Sequence, residues 1–342
     1  MSASTTQISQ WLAELHSNGT EVDLKQLLRY QRHTQLFDLT PAKTIQSKLA
    51  GSYLAKSKGR GMEFDEVRHY QTGDDVRTID WRVTARTGKV HTKLFREEKE
   101  RPVFILTDLG SSMQFGSQLL LKSVQACHLA ALIAWHVKKT GDKLGGIVFH
   151  QQQIRELKPA GRSLAVLRYL HHLIELQNQA LALFSGESAK SQAQSSAPPT
   201  PNTLNTANVP PSLATALGQL RRLARPGSLV YVISDFQQLD DNCLRHLRAL
   251  TLHNEVRVCQ LDDPLELQIP ALAHGVARVA DGAAPVTVQL GSGKIRQQYQ
   301  SQQQQFKADL QQHWTTLGLA SWQLSAALPL LTQLAGRSYG SN

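Results

Sequence analysis

From residue 101 onward, short apolar runs alternate with stretches of helical periodicity. Residues 103–107 (VFILT) and 229–234 (LVYVIS) are continuous apolar runs of strand length, the mark of parallel strands covered on both faces. Residues 117–140, 164–183, 212–224 and 239–252 carry apolar positions at helical spacing, and Gly141-Asp142 and Pro226-Gly227 supply stops. Residues 144–150 and the alternating run 255–261 read as further strands, with 154–157 as an edge. This succession predicts an α/β domain with a doubly wound, mostly parallel sheet.

The first hundred residues have a different pattern. Ile8, Trp11, Leu12 and Leu15 fall at i, i+3, i+4 and i+7 and predict an amphipathic helix; residues 24–31 predict a second. Residues 90–97 alternate as a short strand. The organisation expected is a helical extension at 1–45, a charged motif region at 46–100 docked on the next domain, and the α/β domain itself at 101–342. Residues 185–211 hold five prolines and almost no large apolar side chain, so a mobile loop inserted in that domain is expected. Near the end, 286–290 and 295–299 flank Gly291-Ser292-Gly293-Lys294 and read as a hairpin. A phosphate loop would need glycine where Val288 stands and Ser or Thr where Ile295 stands. The glutamine-rich run 297–312, with Phe306, Leu310 and Trp314, reads as a polar helix; residues 321–325 and 328–334 add a last strand and helix.

Composition changes this picture little. The chain of 342 residues is 41% hydrophobic and 19% charged, ordinary globular values. Three scattered cysteines form neither a disulfide framework nor a metal-ligand spacing. With no secretory leader and no apolar run of bilayer length, the expectation is a cytoplasmic protein without membrane insertion. The net charge of +10 raises a nucleic-acid hypothesis, but the basic residues are dispersed and aromatics reach only 6%, which disfavours it.

The candidate chemistry begins where ligands bind such sheets, at the carboxyl ends of the strands. Two predicted central strands end in aspartate there: Asp108 in TDLGSSM and Asp235 in ISDFQQ. Asp108-x-Gly110-x-Ser112 resembles the metal-ion-dependent adhesion motif Asp-x-Ser-x-Ser of von Willebrand factor A domains. That resemblance implies a von Willebrand A (Rossmann-like) sheet and a Mg²⁺ site with Asp108, Ser112 and Asp235 as ligands. The pattern is degenerate: Gly110 stands where the first serine belongs. Pro211 stands at the distant threonine, with Ser212 the nearest hydroxyl. The competing reading has Asp108 capping its own loop while Ser111 and Ser112 satisfy backbone amides.

The longest motif precedes the sheet. Gly59-x-Gly61-x-Glu63-Phe64, Arg68-x-Tyr70, Gly73-Asp74-Asp75-x-Arg77-x-Ile79-Asp80-Trp81 and Ala85-Arg86, followed by Lys93 and Glu98, resemble the signature of the domain of unknown function 58 family. Asp263-Pro264-Leu265-Glu266 with Pro270 resembles that family's second marker. The resemblance implies a von Willebrand A-like module accompanying MoxR-type AAA+ ATPases of bacteria: a non-enzymatic partner in protein remodelling or complex assembly, with an unidentified client.

The residues themselves suggest a latch. Asp74 or Asp75 would cap a short helix with Val76, Ile79 and Val83 on one face, Arg77 would pair with Asp80, and Trp81 would be an apolar anchor. Glu63, Arg68, Asp74, Asp75, Arg77, Asp80, Trp81 and Arg86 are therefore candidates for an ion-pair latch or for partner recognition. Catalysis comes last, because no nucleophile is accompanied by an oriented base. A nucleic-acid binder and a metal-dependent hydrolase are the alternatives carried forward.

Overall fold

The computed structural model describes residues 4–36, 62–71, 73–97, 100–161, 163–184, 210–269, 276–279, 286–289 and 293–335. The chain divides into two compact units, one of Met1–Ala42 with Arg101–Asn342 and one of Lys43–Glu100. The proposed loop at 185–211 lies outside the described residues but for its last two positions.

In chain order the elements begin with helices α1 (Thr5–Leu15) and α2 (Leu24–Leu28), the second running into a 3-10 segment, Arg29–Leu36. The smaller unit holds strand β1 (Met62–His69), helix α3 (Trp81–Thr87) and strand β2 (His91–Glu97), with β1 and β2 antiparallel. The sequence pattern does not mark β1, because the charges of MEFDEVRH mask its alternation.

The rest builds the large unit: β3 (Pro102–Asp108), α4 (Lys122–Lys139), β4 (Lys143–Phe149), β5 (Ile154–Ala160), α5 (Ser163–Phe184), α6 (Leu213–Leu223), β6 (Leu229–Ser234), α7 (Asp241–Thr251) and β7 (Glu255–Asp262). It ends with the short helix α8 (Pro264–Leu267), β8 (Val276–Val279), β9 (Val286–Gln289), α9 (Gly293–Leu317), β10 (Ala320–Ser325) and α10 (Leu330–Ala335). Six strands form one sheet in the order β10-β7-β6-β3-β4-β5, all parallel except the β5 edge. The chain leaves β3 toward β4 and β5 on one side, then returns to place β6 on the other. The crossover therefore opens a crevice between the ends of β3 and β6, the topological switch point of such a sheet.

Strand alternation divides the core in two. Val103, Ile105, Tyr231, Ile233, Cys259 and Leu261 face the helices α4 and α5. Phe104, Leu106, Val230, Val232 and Val258 face α6 and α7, with Leu310 and Trp314 of α9. Two covered faces explain why β3 and β6 read as unbroken apolar runs. Gly146 in β4 is a consequence of close packing: a Cβ there would stand 2.7 Å from both the Ile105 carbonyl and the Tyr169 ring.

The N-terminal helices belong to this unit. Leu27 and Tyr30 enter the α4 side of the core, Trp135 Nε1 donates to the Leu27 carbonyl at 3.1 Å, and His136 Nδ1 lies 2.6 Å from the Thr34 carbonyl. Near the C-terminus the expected hairpin is corrected. Residues 295–299 lie inside α9, and β9 pairs instead with β8. The helical spacing of Ile295, Tyr299 and Phe306 outweighs the turn signal of the glycine pair, of which Gly291 lies outside the described residues. No helix among the described residues is long and apolar enough to cross a membrane.

Candidate functional site

The two aspartates singled out in the sequence lie at the ends of neighbouring strands. Asp108 closes β3 and Asp235 comes directly after β6, whose Ile233 is in register with Thr107. Both are buried, at 2% and 3% exposure. Asp108 Oδ1 accepts from the Gly110 amide at 2.8 Å, and Oδ2 accepts from Ser234 Oγ at 2.7 Å. Asp235 Oδ1 accepts from the Gln237 amide at 3.1 Å. Gly110 permits the first of these loops: a Cβ there would lie 3.0 Å from Asp108 Oδ1.

The remaining oxygen of the pair is bound by a residue that no sequence motif singles out. Lys122, the first residue of α4, is fully buried, and its Nζ donates to Asp235 Oδ2 at 2.8 Å and to Glu266 Oε1 at 2.5 Å. Glu266 is positioned by the α8 turn, which is the Asp263-Pro264-Leu265-Glu266 marker. Asp263 caps that turn through the Leu265 amide and accepts from the Ser117 amide at 2.8 Å and the Ser117 hydroxyl at 2.5 Å. One marker thus supplies both the second carboxylate for the lysine and a clasp on the loop leading into α4.

The electrostatics come from burial and charge count. Burial, with the charge of Asp235 adding to it, pushes the Asp108 carboxyl up to about 7 against the Ser234 and Gly110 hydrogen bonds. Burial opposes the ammonium of Lys122, yet Asp235 and Glu266 outweigh it and hold the group above its ordinary value. Burial raises Glu266 despite Lys122. The backbone adds its own mark: Phe236, directly after Asp235, has φ 60°. A bulky residue in the left-handed region costs about 1–3 kcal/mol and persists only where its surroundings enforce it. Here the Phe236 amide donates a hydrogen bond to Ser234 Oγ at 3.0 Å, and its ring packs edge-on with Trp314 at 4.9 Å.

The other residues of the adhesion-type pattern lie nearby in different roles. Ser111 and Ser112 begin a 3-10 turn, and Ser112 Oγ is buried with no hydrogen-bond partner among the described residues. Ser212 caps α6 through the Thr215 amide at 3.3 Å. A hard cation at this place would meet one orphan hydroxyl and four carboxylate oxygens that already accept bonds. Among the described residues no three His, Cys, Asp or Glu side chains converge as a metal-ligating group.

In the smaller unit, Arg68 pairs with Asp74 at 2.7 Å, and Asp74 also accepts from the Gln71 amide at 2.9 Å. The expected single helix is corrected to two short elements. Asp75 caps the 3-10 turn Val76–Thr78, and Asp80 caps α3 through the Arg82 and Val83 amides. Ile79 between them is extended and bridges to Thr92, so Arg77 and Asp80 are not partners on one helix. Asp80 faces Lys93 at 3.6 Å instead. Trp81, expected as an apolar anchor, stands 69% exposed at the start of α3. Arg77 and Arg86 are exposed and make no ion pair among the described residues. Glu63 falls on β1, its side chain outside the described set, as are Gly59, Gly61, Glu98 and Pro270.

Lysine on the N-terminal end of a helix opposes the helix dipole, and a lysine between Leu119-Leu120-Leu121 and the apolar body of α4 has no route to water. Neither feature identifies its carboxylate partners, which lie 113 and 144 positions away along the chain. The Ser234 and Ser117 hydrogen bonds carry no sequence signal.

The fold and site define a mixed α/β protein whose six-stranded, mostly parallel sheet, flanked by helices, carries a lysine-bound acidic cluster at its switch point. The profile of the family described as "Protein of unknown function DUF58" matches residues 66–309, and the chain belongs to that family. Uncharacterized proteins of Mycobacterium bovis and Mycobacterium tuberculosis are each 29% identical over 244 residues, covering 71% of this chain and 68% of theirs. Among solved structures, the conserved hypothetical protein BatB of Bacteroides thetaiotaomicron is 14% identical with a TM-score of 0.34, covering 69% of this chain and 98% of its own. An aerotolerance-related membrane protein of Bacteroides fragilis is 14% identical with a TM-score of 0.38, covering 69% and 96%.

Proposed function

We propose that this chain is a non-enzymatic protein-interaction module of von Willebrand A-like type, serving a MoxR-type AAA+ ATPase as partner or adaptor in the assembly or remodelling of protein complexes in the cytoplasm. The observation that carries the reading is the state of the switch-point carboxylates. All four oxygens of Asp108 and Asp235 are bonded, and the cation beside them is a buried side chain. A reacting group must reach its substrate; these carboxylates are buried at 2% and 3% exposure and bonded to their own loops, which supports a role in holding those loops in place. Around them Gln237, Gln238, Asp240 and Asp241 lie after β6 and give the strand ends a polar rim. The class of partner comes from the family resemblance.

The test is direct binding between the purified chain and a purified MoxR-type ATPase from the same genome, with nucleotide present. Binding weakened at least tenfold by Gln238→Arg on the rim, or by Asp74→Ala with Arg77→Ala in the motif region, supports the reading and tells which surface docks. A chain that binds no such ATPase, and retains no AAA+ protein from its native lysate, overturns it.

A further inference from the structure

We infer that the Lys122 ammonium is the resident cation of the switch-point site: it takes the place a divalent ion holds in a metal-dependent adhesion site, and the site works without metal. Three observations lead there, and none depends on what the rim binds. The first is position. Lys122 Nζ is fully buried and touches Asp235, which directly follows β6 and holds the second-aspartate position of the adhesion pattern. The second is occupancy. Asp108 accepts from the Gly110 amide and the Ser234 hydroxyl, and Asp235 from the Gln237 amide and the lysine, so a divalent ion would have to share every oxygen with a bond already made and compete with the ammonium for Asp235. Beside them Ser112 Oγ is buried with no hydrogen-bond partner among the described residues. The third is charge. Glu266 arrives from α8 to meet the same ammonium at 2.5 Å, so the lysine is shared by two carboxylates.

An ion added beside this ammonium would be repelled at close range in a medium that screens little. Gly110 fits the same design. The first hydroxyl of an adhesion motif is an ion ligand, and here its absence leaves Asp108 room to close on its own loop. The ammonium is bonded inward and out of water, so it cannot complete its shell with a partner's carboxylate as an open metal ion does. Whatever docks on this rim therefore does so by its exposed polar groups, and chelators leave docking unchanged.

The experiment uses Mn²⁺ as the probe on the full chain. In wild type, titration with Mn²⁺ gives no saturable heat, and the melting temperature is the same in EDTA and in millimolar Mn²⁺. In Lys122→Ala the melting temperature in EDTA falls by several degrees, and Mn²⁺ restores it saturably, because the emptied place is acidic and can hold an ion. Adding Asp235→Asn to that variant abolishes the restoration. Saturable Mn²⁺ binding by wild type overturns the inference and requires no variant to fold. A Lys122→Ala chain that melts at the wild-type temperature in EDTA, or that gains nothing from Mn²⁺, overturns it as well.

Discussion

Lys122 Nζ lies 2.8 Å from Asp235 Oδ2, with exposures of 0% and 3% for the two side chains. A pair so far from water is worth little against a well-packed apolar substitute, but breaking it by removing one partner strands a charge. Lys122→Met should therefore cost about 3–5 kcal/mol in urea unfolding monitored by tryptophan fluorescence. Adding Asp235→Asn to Lys122→Met should recover part of that loss, since one of the two stranded carboxylates is gone and Glu266 remains. Simple additivity of the two changes would show that the groups are not coupled.

Gly110→Ser restores the adhesion pattern in sequence but not in chemistry. The new Cβ would lie 3.0 Å from Asp108 Oδ1, in the space the carboxylate uses to accept the Gly110 amide. The variant should be about 1–3 kcal/mol less stable, the range for disturbing a buried hydrogen bond. It should gain no stability from Mg²⁺ in a thermal melt. A Mg²⁺-dependent rise would mean that one missing hydroxyl was all that kept an ion out.

The sheet is legible in the sequence because its physics is local. Runs such as VFILT and LVYVIS can sit only where both faces are covered, and the aspartate closing each run marks where the chemistry lies. The placement of Asp108 beside Asp235 comes from that pattern and from the crossover rule. The lysine is not legible by the same route, since hydrophobic periodicity treats a charged residue at a helix start as surface. Its meaning depends on Glu266, which is 144 positions away along the chain. The motif region misleads for a related reason. Asp74, Asp75, Ile79 and Asp80 suit one capped helix by spacing, but the bridge from Ile79 to Thr92 interrupts it, and no spacing rule contains a cross-strand bridge.

The N-terminal helices should unfold with the sheet, not before it. Leu27 is fully buried against α4, and its carbonyl accepts from Trp135. Leu27→Ala should cost about 2–5 kcal/mol, the range for a truncated core leucine. In hydrogen exchange, the amides of α4 should lose protection together with those of residues 24–36. Loss confined to residues 4–36 would show that the extension opens on its own.

His128 sets an acid limit on this same contact. Its ring lies 5.5 Å from Tyr30, with Arg29 near enough to add positive charge, and neither ring nitrogen has a hydrogen-bond partner among the described residues. Burial, then Arg29, lower its pKa from 6.5 to about 4. Above pH 6.5 the ring is neutral whether the chain is folded or not, so it adds no pH dependence. Between 6.5 and 4 the unfolded chain takes up a proton that the folded chain refuses, and stability falls with pH by up to about 3 kcal/mol. Asp108 acts in the opposite sense. Its folded pKa is raised from 3.8 to about 7, so its contribution is full below 3.8 and is lost as pH rises through 7. Because the two offset each other, the pH profile of wild type alone is uninformative; the difference between wild type and His128→Leu removes the Asp108 contribution. That difference should be flat above pH 6.5 and shift in favour of the variant as pH falls to 4. A pH-independent difference would mean that His128 takes up its proton in the folded chain as readily as in the unfolded one.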